Sequence, residues 1–515
     1  MGHLANVARQ SRPAVLSKSD SQPAPVGGWN AREPLADMPD HHAVFMDNFF
    51  AERSRVRLRN GSADHATGMT GNVESLMTWT GGASAKMFGA VGTNVYEVTS
   101  AGAVGAAEFG SMTNARWQHV NFETAGGHFL YIVNGADAPR YYDGTSWTVP
   151  TITGAGLTAS NLIYVNEFKE RLFFIEKNTM SVWYFPVLTI AGAITEFPMG
   201  QLFKLGGHLV AMGSWTLDAG SGLDDYAVFI TSEGEVAIYA GTDPGAAADW
   251  VLVGIFRMGA PIGQRPLMKV GSSLVVINED GFSSIADALK AARSSESAHL
   301  SDQIREAVNQ AVNSYRGNFG WEAILFPAGN KVIFNVPTAD GDTSDQYVFN
   351  STTGAPCRFK GWNAFSWQLL NNDLYFGTVD KVVKADIGQA DSGVNIEGDC
   401  MGAFKYFGSS SLKQFHQVRP VLGIIGTVAP AIGVGVDFDT VPKTTTPSFG
   451  SGSGSLWNVS PWNTTPWSSS LKIVKDWQST EVLGFAAAIR LKVVTNLQEV
   501  EWYSTDWIYE PGGFY

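Results

Sequence analysis

The chain has 515 residues, 48 acidic and 35 basic, for a formal charge of −13. Only 16% of its residues are charged, against roughly 25% in an ordinary soluble domain, while Gly (56 residues) and aromatics (12%) are abundant. This excludes one simple domain, a broad basic grip on nucleic acid, and a disulfide framework or zinc site built from Cys357 and Cys400 alone.

Sparse charge with many Gly, Trp and Phe residues describes turn-rich β structure whose surface is covered in part by other chains. No run reaches the roughly 18 apolar residues of a membrane span, and the first residues lack the apolar core of a signal peptide. The reading therefore expects no membrane-spanning segment and synthesis in a reducing cytoplasm.

Residues 1–28 read as a flexible N-terminal arm, rich in Ser, Pro and Ala and without a period. Residues 29–71 read as an extended segment and a first strand belonging to a platform. There Arg53, Arg55, Arg57 and Arg59 alternate with small or apolar residues, which places arginines along one strand face until Asn60-Gly61 turns the chain. Such a ladder suits phosphates or the carboxylates of an adjacent chain equally, so Arg53, Arg55 and Arg57 are interface candidates.

From 72 to 395 one pattern recurs: an apolar strand, a Gly, Asn or Asp turn, then a second strand with aromatics. The hairpins fall at 86–98, 129–144, 171–185, 227–239, 273–281, 332–350 and 374–384. At least seven hairpins at loosely regular spacing predict a distorted β-propeller, with stacked β-sandwiches as the alternative. A helical insertion at about 283–316 interrupts them. In it Ile304, Val308, Ala311, Val312 and Tyr315 form one helical stripe, and Ser301 is the expected N-cap.

Residues 396–515 read as a C-terminal, β-sandwich-like platform domain. It holds a small apolar stretch at 421–436, a linker-like loop at 444–455, and three closing strands at 484–494, 500–503 and 507–509. The fold class expected is all-β: a propeller-like main domain, a short helical insertion and an additional platform.

Chemistry-bearing motifs are few. There is no phosphate-binding loop, nucleophile elbow or His-Glu-x-x-His pair, and the adjacent His41 and His42 point to opposite sides of an extended chain. Asp340, Asp342 and Asp345 would supply hard oxygen ligands for calcium, but they occupy an expected hairpin tip. Asp437 and Asp439, on one strand face, are candidates for paired carboxylates in glycoside hydrolysis. Trp457, Trp462, Trp467 and Trp477 could stack on sugars or bury themselves in a subunit interface. No constellation amounts to an enzyme, and no cofactor is implied.

The order of several motifs resembles the tail nozzle proteins of short-tailed phages, also called tail tubular protein B or packaged-DNA stabilisation protein. The opening run from Gly27-Gly28-Trp29-Asn30 to Asp37-Met38-Pro39 resembles the family's start. Asp47-Asn48-Phe49-Phe50 and the basic strand to Asn60-Gly61 follow in the same order. Leu300-Ser301-Asp302-Gln303-Ile304 resembles a Leu-Ser-Asp-Lys-Ile stretch, with Gln303 in place of Lys. The block from Gln346-Tyr347-Val348-Phe349-Asn350 through Gly361-Trp362-Asn363-Ala364 to Leu374-Tyr375-Phe376-Gly377 is the most specific, with Pro356 where Trp is common.

The resemblance implies a structural virion protein in the tail. Six copies would form a homohexameric ring below portal and adaptor, contact tail fibre or spike proteins, and conduct genomic double-stranded DNA without sequence specificity. Acidic lumen walls would let DNA slide without sticking. Readings from other classes are a carbohydrate-binding or depolymerising adhesin, and an upper tail or head-closure component without a gate.

Overall fold

The computed structural model describes residues 16–82, 84–218, 223–271, 273–286, 300–425, 428–446 and 471–512. The chain is nearly all β, and seven radial sheets follow one another around a closed ring.

Blade 1 comprises Val73–Gly81, Ser84–Val91 and Asn94–Glu97, and blade 2 comprises Gln118–Thr124, Gly127–Val133, Arg140–Tyr142 and Trp147–Thr148. Blade 3 holds Leu162–Phe168, Arg171–Glu176, Ser181–Tyr184 and Thr195–Pro198. Blade 4 holds Leu209–Asp218, Leu223–Thr231, Glu235–Ala240 and Val251–Arg257. Blade 5 is Leu267–Val270, Ser273–Asn278 and Gly281–Ser284; blade 6 is Glu322–Phe326, Lys331–Pro337, Ser344–Asn350 and Pro356–Phe359. Blade 7, Ser366–Leu370, Asp373–Gly377 and Val382–Ala385, is completed by Ser62–Thr67 from the N-terminal side, which pairs antiparallel with Val382–Ala385. The first strand of each blade lies innermost and packs on the next blade, and blade 7 meets blade 1. An early strand thus latches the ring shut, and Ser62–Thr67 belongs to the propeller rather than to the platform.

The predicted hairpins are the middle strands of these blades, and burial explains their continuous apolar character. Along Arg171–Glu176, Leu172 and Phe174 pack toward blade 2, while Phe173 and Ile175 pack toward blade 4. A strand covered on both faces has no polar side to write into its sequence. Turns obey local sterics. Gly234 sits at φ +77°, and a Cβ there would lie 2.3 Å from the Met258 carbonyl.

The helix Arg305–Tyr315 buries Val308, Ala311 and Val312 against Gly281–Ser284 and Lys331–Pro337. Ser301 does not cap it. A short 3-10 turn, Asp302–Ile304, intervenes, and the buried Ser301 hydroxyl instead accepts the Phe282 N–H at 3.2 Å. The first part of the expected insertion holds strand Gly281–Ser284, and residues 287–299 lie outside the described residues.

The platform draws on both ends of the chain. One sheet runs Phe49–Ala51, Val56–Leu58, Glu499–Pro511, Lys413–Ile425, Lys472–Val474, with Gln478–Gly484 also on Lys413–Ile425. Lys18–Pro23 pairs with Glu499–Pro511, so this part of the expected flexible arm is a strand, held there by ladder hydrogen bonds and the burial of Gln22 and Ala24. Glu499–Pro511 is one long strand where two short ones were expected, because it spans several partners in succession. The second sheet joins Ala43–Asp47, Ile396–Gly402, Ala487–Thr495 and Ala431–Val436, and continues into blade 6 through a parallel contact of Asp47 with Arg358. Phe49, Leu58, Phe415, Trp502 and Trp507 fill the space beside Ile489 and Leu491, within a core shared with blades 5–7.

Candidate functional site

The innermost strands leave a polar cluster on the propeller axis. Arg265 enters from the segment before blade 5, and its guanidinium lies 3.2 Å from the Glu322 carboxylate of blade 6. It also donates to the Glu74 carbonyl (3.1 Å), the Ser75 hydroxyl (2.6 Å) and the Trp117 carbonyl (3.0 Å), all at the inner ends of blades 1 and 2. One side chain therefore crosses the ring.

Beside it, His119 Nε2 of blade 2 meets Gln368 Nε2 of blade 7 at 2.9 Å, and Gln118 donates to the Gln264 carbonyl. Burial, with Arg265 nearby, pulls the His119 imidazole down to about 4, so it is neutral and accepts from the Gln368 amide. Burial pushes the Tyr164 hydroxyl up to about 12 and raises the Glu322 carboxyl, although Arg265 opposes the latter. Arg265, Glu322, His119, Gln368 and Gln118 cross the axis with paired polar contacts, and a cavity of about 130 Å³ is lined by Arg116, Arg265 and Phe319. The axial groups are spread from 74 to 368, and nothing in their local spacing could have nominated them.

A second cleft, about 590 Å³, opens beside the far ends of the inner strands of blades 1–3. Glu123, Glu167 and Glu170 give it an acidic lining, and burial together with Glu170 raises the Glu167 carboxyl.

The arginine ladder divides. Arg59 is wholly buried: it donates to Asn48 Oδ1 (2.8 Å), the Lys360 carbonyl (2.8 Å) and Asp391 Oδ1 (2.9 Å), and stacks over Trp362 at 4.5 Å. It ties platform to propeller. Arg55 pairs with Glu52 at 2.9 Å and Glu501 at 3.2 Å, and Arg57 pairs with Glu52 at 2.8 Å, so both find carboxylates within their own chain. Arg53 remains exposed.

The other candidates separate as well. Asp340 accepts from the Phe319 N–H at 3.0 Å, Asp342 sits in a turn closed on Ala339, and Asp345 belongs to strand Ser344–Asn350. Among the described residues no group of three or more His, Cys, Asp or Glu is placed to hold a metal ion. Asp437 and Asp439 lie in the turn after Ala431–Val436, not on a strand face. Asp437 (φ +50°) accepts the Phe485 and Ala486 N–H groups, and Asp439 accepts that of Val441. Each caps a turn, and they form no hydrolytic pair. His42 Nδ1 meets the Asn30 amide at 2.6 Å, and Cys357 and Cys400 are buried free thiols. Trp457, Trp462 and Trp467 lie outside the described residues; Trp477 stacks with Arg419 at 4.4 Å.

Exposed apolar side chains gather at two places. On Val251–Arg257, the outermost strand of blade 4, Val251 and Val253 are each more than half exposed (52% and 53%), with Ile255 beside them. On the platform, Leu483 and Phe485 stand out at the edge strand Gln478–Gly484, and Val494 and Leu497 at the opposite end of Ala487–Thr495.

No protein-family model and no curated protein matches the chain. Among solved structures it is similar to the crystal structure of an exo-beta-1,3-galactanase from Phanerochaete chrysosporium with galactose. Identity is 11% over 76% of this chain and 95% of that chain, with a TM-score of 0.28, too loose a superposition to carry an argument about function.

Proposed function

We propose that the protein is a non-enzymatic wall segment of a short-tailed phage tail: a nozzle subunit that assembles into a ring of six, retains packaged DNA and conducts it at ejection. The observation that carries this reading is the placement of exposed Val, Ile, Leu and Phe on the outer strand of blade 4 and the platform edge, in a chain with only 16% charged residues. Contiguous exposed apolar surface marks contact with other chains. The motif order from Gly27 to Gly377 agrees with it.

The plugged axis bears on the route of DNA. A duplex has no path through a channel crossed by Arg265, so it would pass through the lumen enclosed by the six copies. The net charge of −13 supports a lumen that repels phosphate rather than gripping it. An adaptor would cap the ring above, and fibre or spike proteins would attach outside.

Electron microscopy of the purified chain tests the reading. Six-fold rings with an open centre are expected. A trimer that binds glycans, or a monomer that cleaves them, would replace the nozzle with the adhesin.

A further inference from the structure

We propose that the ring is closed by one head-to-tail contact in which the blade 4 rim of each copy (Val253, Ile255, Arg257) docks on the platform edge of the next (Glu481, Leu483, Phe485). This rests on the ring reading above and names the surfaces that make it.

A closed ring of identical subunits needs two different, mutually complementary patches on each copy, because a single self-complementary patch stops at a dimer. The chain offers two such patches. Blade 4 lies three blades from blade 7, where Arg59 fixes the platform to the propeller, so the rim and the platform edge are separated on one subunit. They cannot satisfy each other within a copy.

Their chemistry matches. On the rim, Ile255 and the exposed cation Arg257 are two residues apart on an outermost strand whose seven residues, VLVGIFR, include no carboxylate. On the platform, Leu483 and the exposed Glu481 are two residues apart on Gln478–Gly484, another strand at a sheet edge, with Phe485 just beyond. The rim pair is flanked by a cation and the platform pair by carboxylates, Glu481 (3.8 Å from His416) and Asp437, which accepts the Phe485 N–H, so the patches are opposite in charge. Both strands also carry a bulge, at Val253 and near Glu481, where φ is +45°. Bulges discourage indiscriminate ladder pairing at an edge, so the contact is side chain against side chain. A second copy of this chain is the occupant that the two patches select in common.

The experiment uses two full-length variants, Ile255→Asp and Leu483→Asp, both at exposed positions where the fold is not strained. The wild-type chain is expected to form rings, and each variant alone to be monomeric by mass photometry. Mixed one to one, the variants are expected to give dimers and nothing larger. The intact platform of one binds the intact rim of the other, and both free ends are dead. As a second reading, Arg257→Glu should weaken assembly roughly fivefold per contact, and adding Glu481→Arg should restore it. Rings that persist in either aspartate variant, or a mixture without dimers, overturn the assignment of these patches while leaving the ring itself standing. A wild-type chain that never associates overturns the ring reading and this inference together.

Discussion

At the propeller axis, charged and hydrogen-bonding groups are buried and partnered, whereas the outer strand of blade 4 and the platform edge carry Val, Ile, Leu and Phe into solvent. The axis is finished within one chain: Arg265 reaches Glu322 and three inner-strand acceptors and leaves no room for a passing polymer. The rim leaves Val251, Val253 and Ile255 in contact with solvent, and on the proposed ring a neighbouring copy covers them. On the proposed ring, this contrast puts fold stability at the centre and assembly at the edge.

The largest effects are expected where charge is buried. Arg265→Ala should destabilise the chain by about 3–5 kcal/mol, because Glu322 and the Glu74 and Trp117 carbonyls lose their partner together. Arg59→Met should cost a similar amount by stranding Asp391 and freeing the platform from blades 6 and 7. Thermal unfolding followed by calorimetry checks both, and a Tm within a degree of wild type would show the axis or the junction to be dispensable.

A slightly smaller effect belongs to His119. Its imidazole takes up a proton near its ordinary value of about 6.5 when unfolded, and only near 4 when folded. Between those values the unfolded chain binds more protons. Stability therefore falls as pH drops from about 6.5 to about 4, by about 3 kcal/mol in all, and this contribution levels off below that. His119→Gln should flatten that part of the Tm-against-pH curve; an unchanged slope would place the acid sensitivity elsewhere.

The smallest folding effect is expected at the rim. Val253→Ser should change unfolding by no more than about 0.5 kcal/mol, since more than half of the residue already meets solvent. A loss of several kcal/mol would show that the rim is part of the fold and would collapse the contrast.

Much of the propeller could be read from the chain because its middle strands are covered on both faces. Runs such as Leu172-Phe173-Phe174-Ile175 and Val332–Phe334 then stand out, with Asn or Gly turns between them. The inner strands were harder to see. Gln118–Thr124 reads QHVNFET, polar at both ends because Gln118 and His119 serve the axis and Glu123 and Thr124 line the cleft, so it lacks the long apolar run that marks the middle strands. The arginine alternation was visible, but Arg59's burial was not, since its partners Asn48, Lys360 and Asp391 are supplied by three separate segments. The axial cluster was hidden for the same reason: His119 and Gln368 lie 249 residues apart. Turn chemistry at Asp437 and Asp439 looked like paired carboxylates because sequence spacing says nothing of a positive φ. Of the proposed assembly surface, only the sparse charge could be read in advance, since an exposed Val-x-Val-x-Ile spells the same as a buried one.

Native mass spectrometry of the purified full-length chain, at rising protein concentration and low ionic strength, tests the central claim most directly. A single assembled species of six copies, forming from monomers without a stable dimer plateau, is the predicted result. A chain that stays monomeric across the series, its rim and platform edge open to solvent throughout, would contradict it.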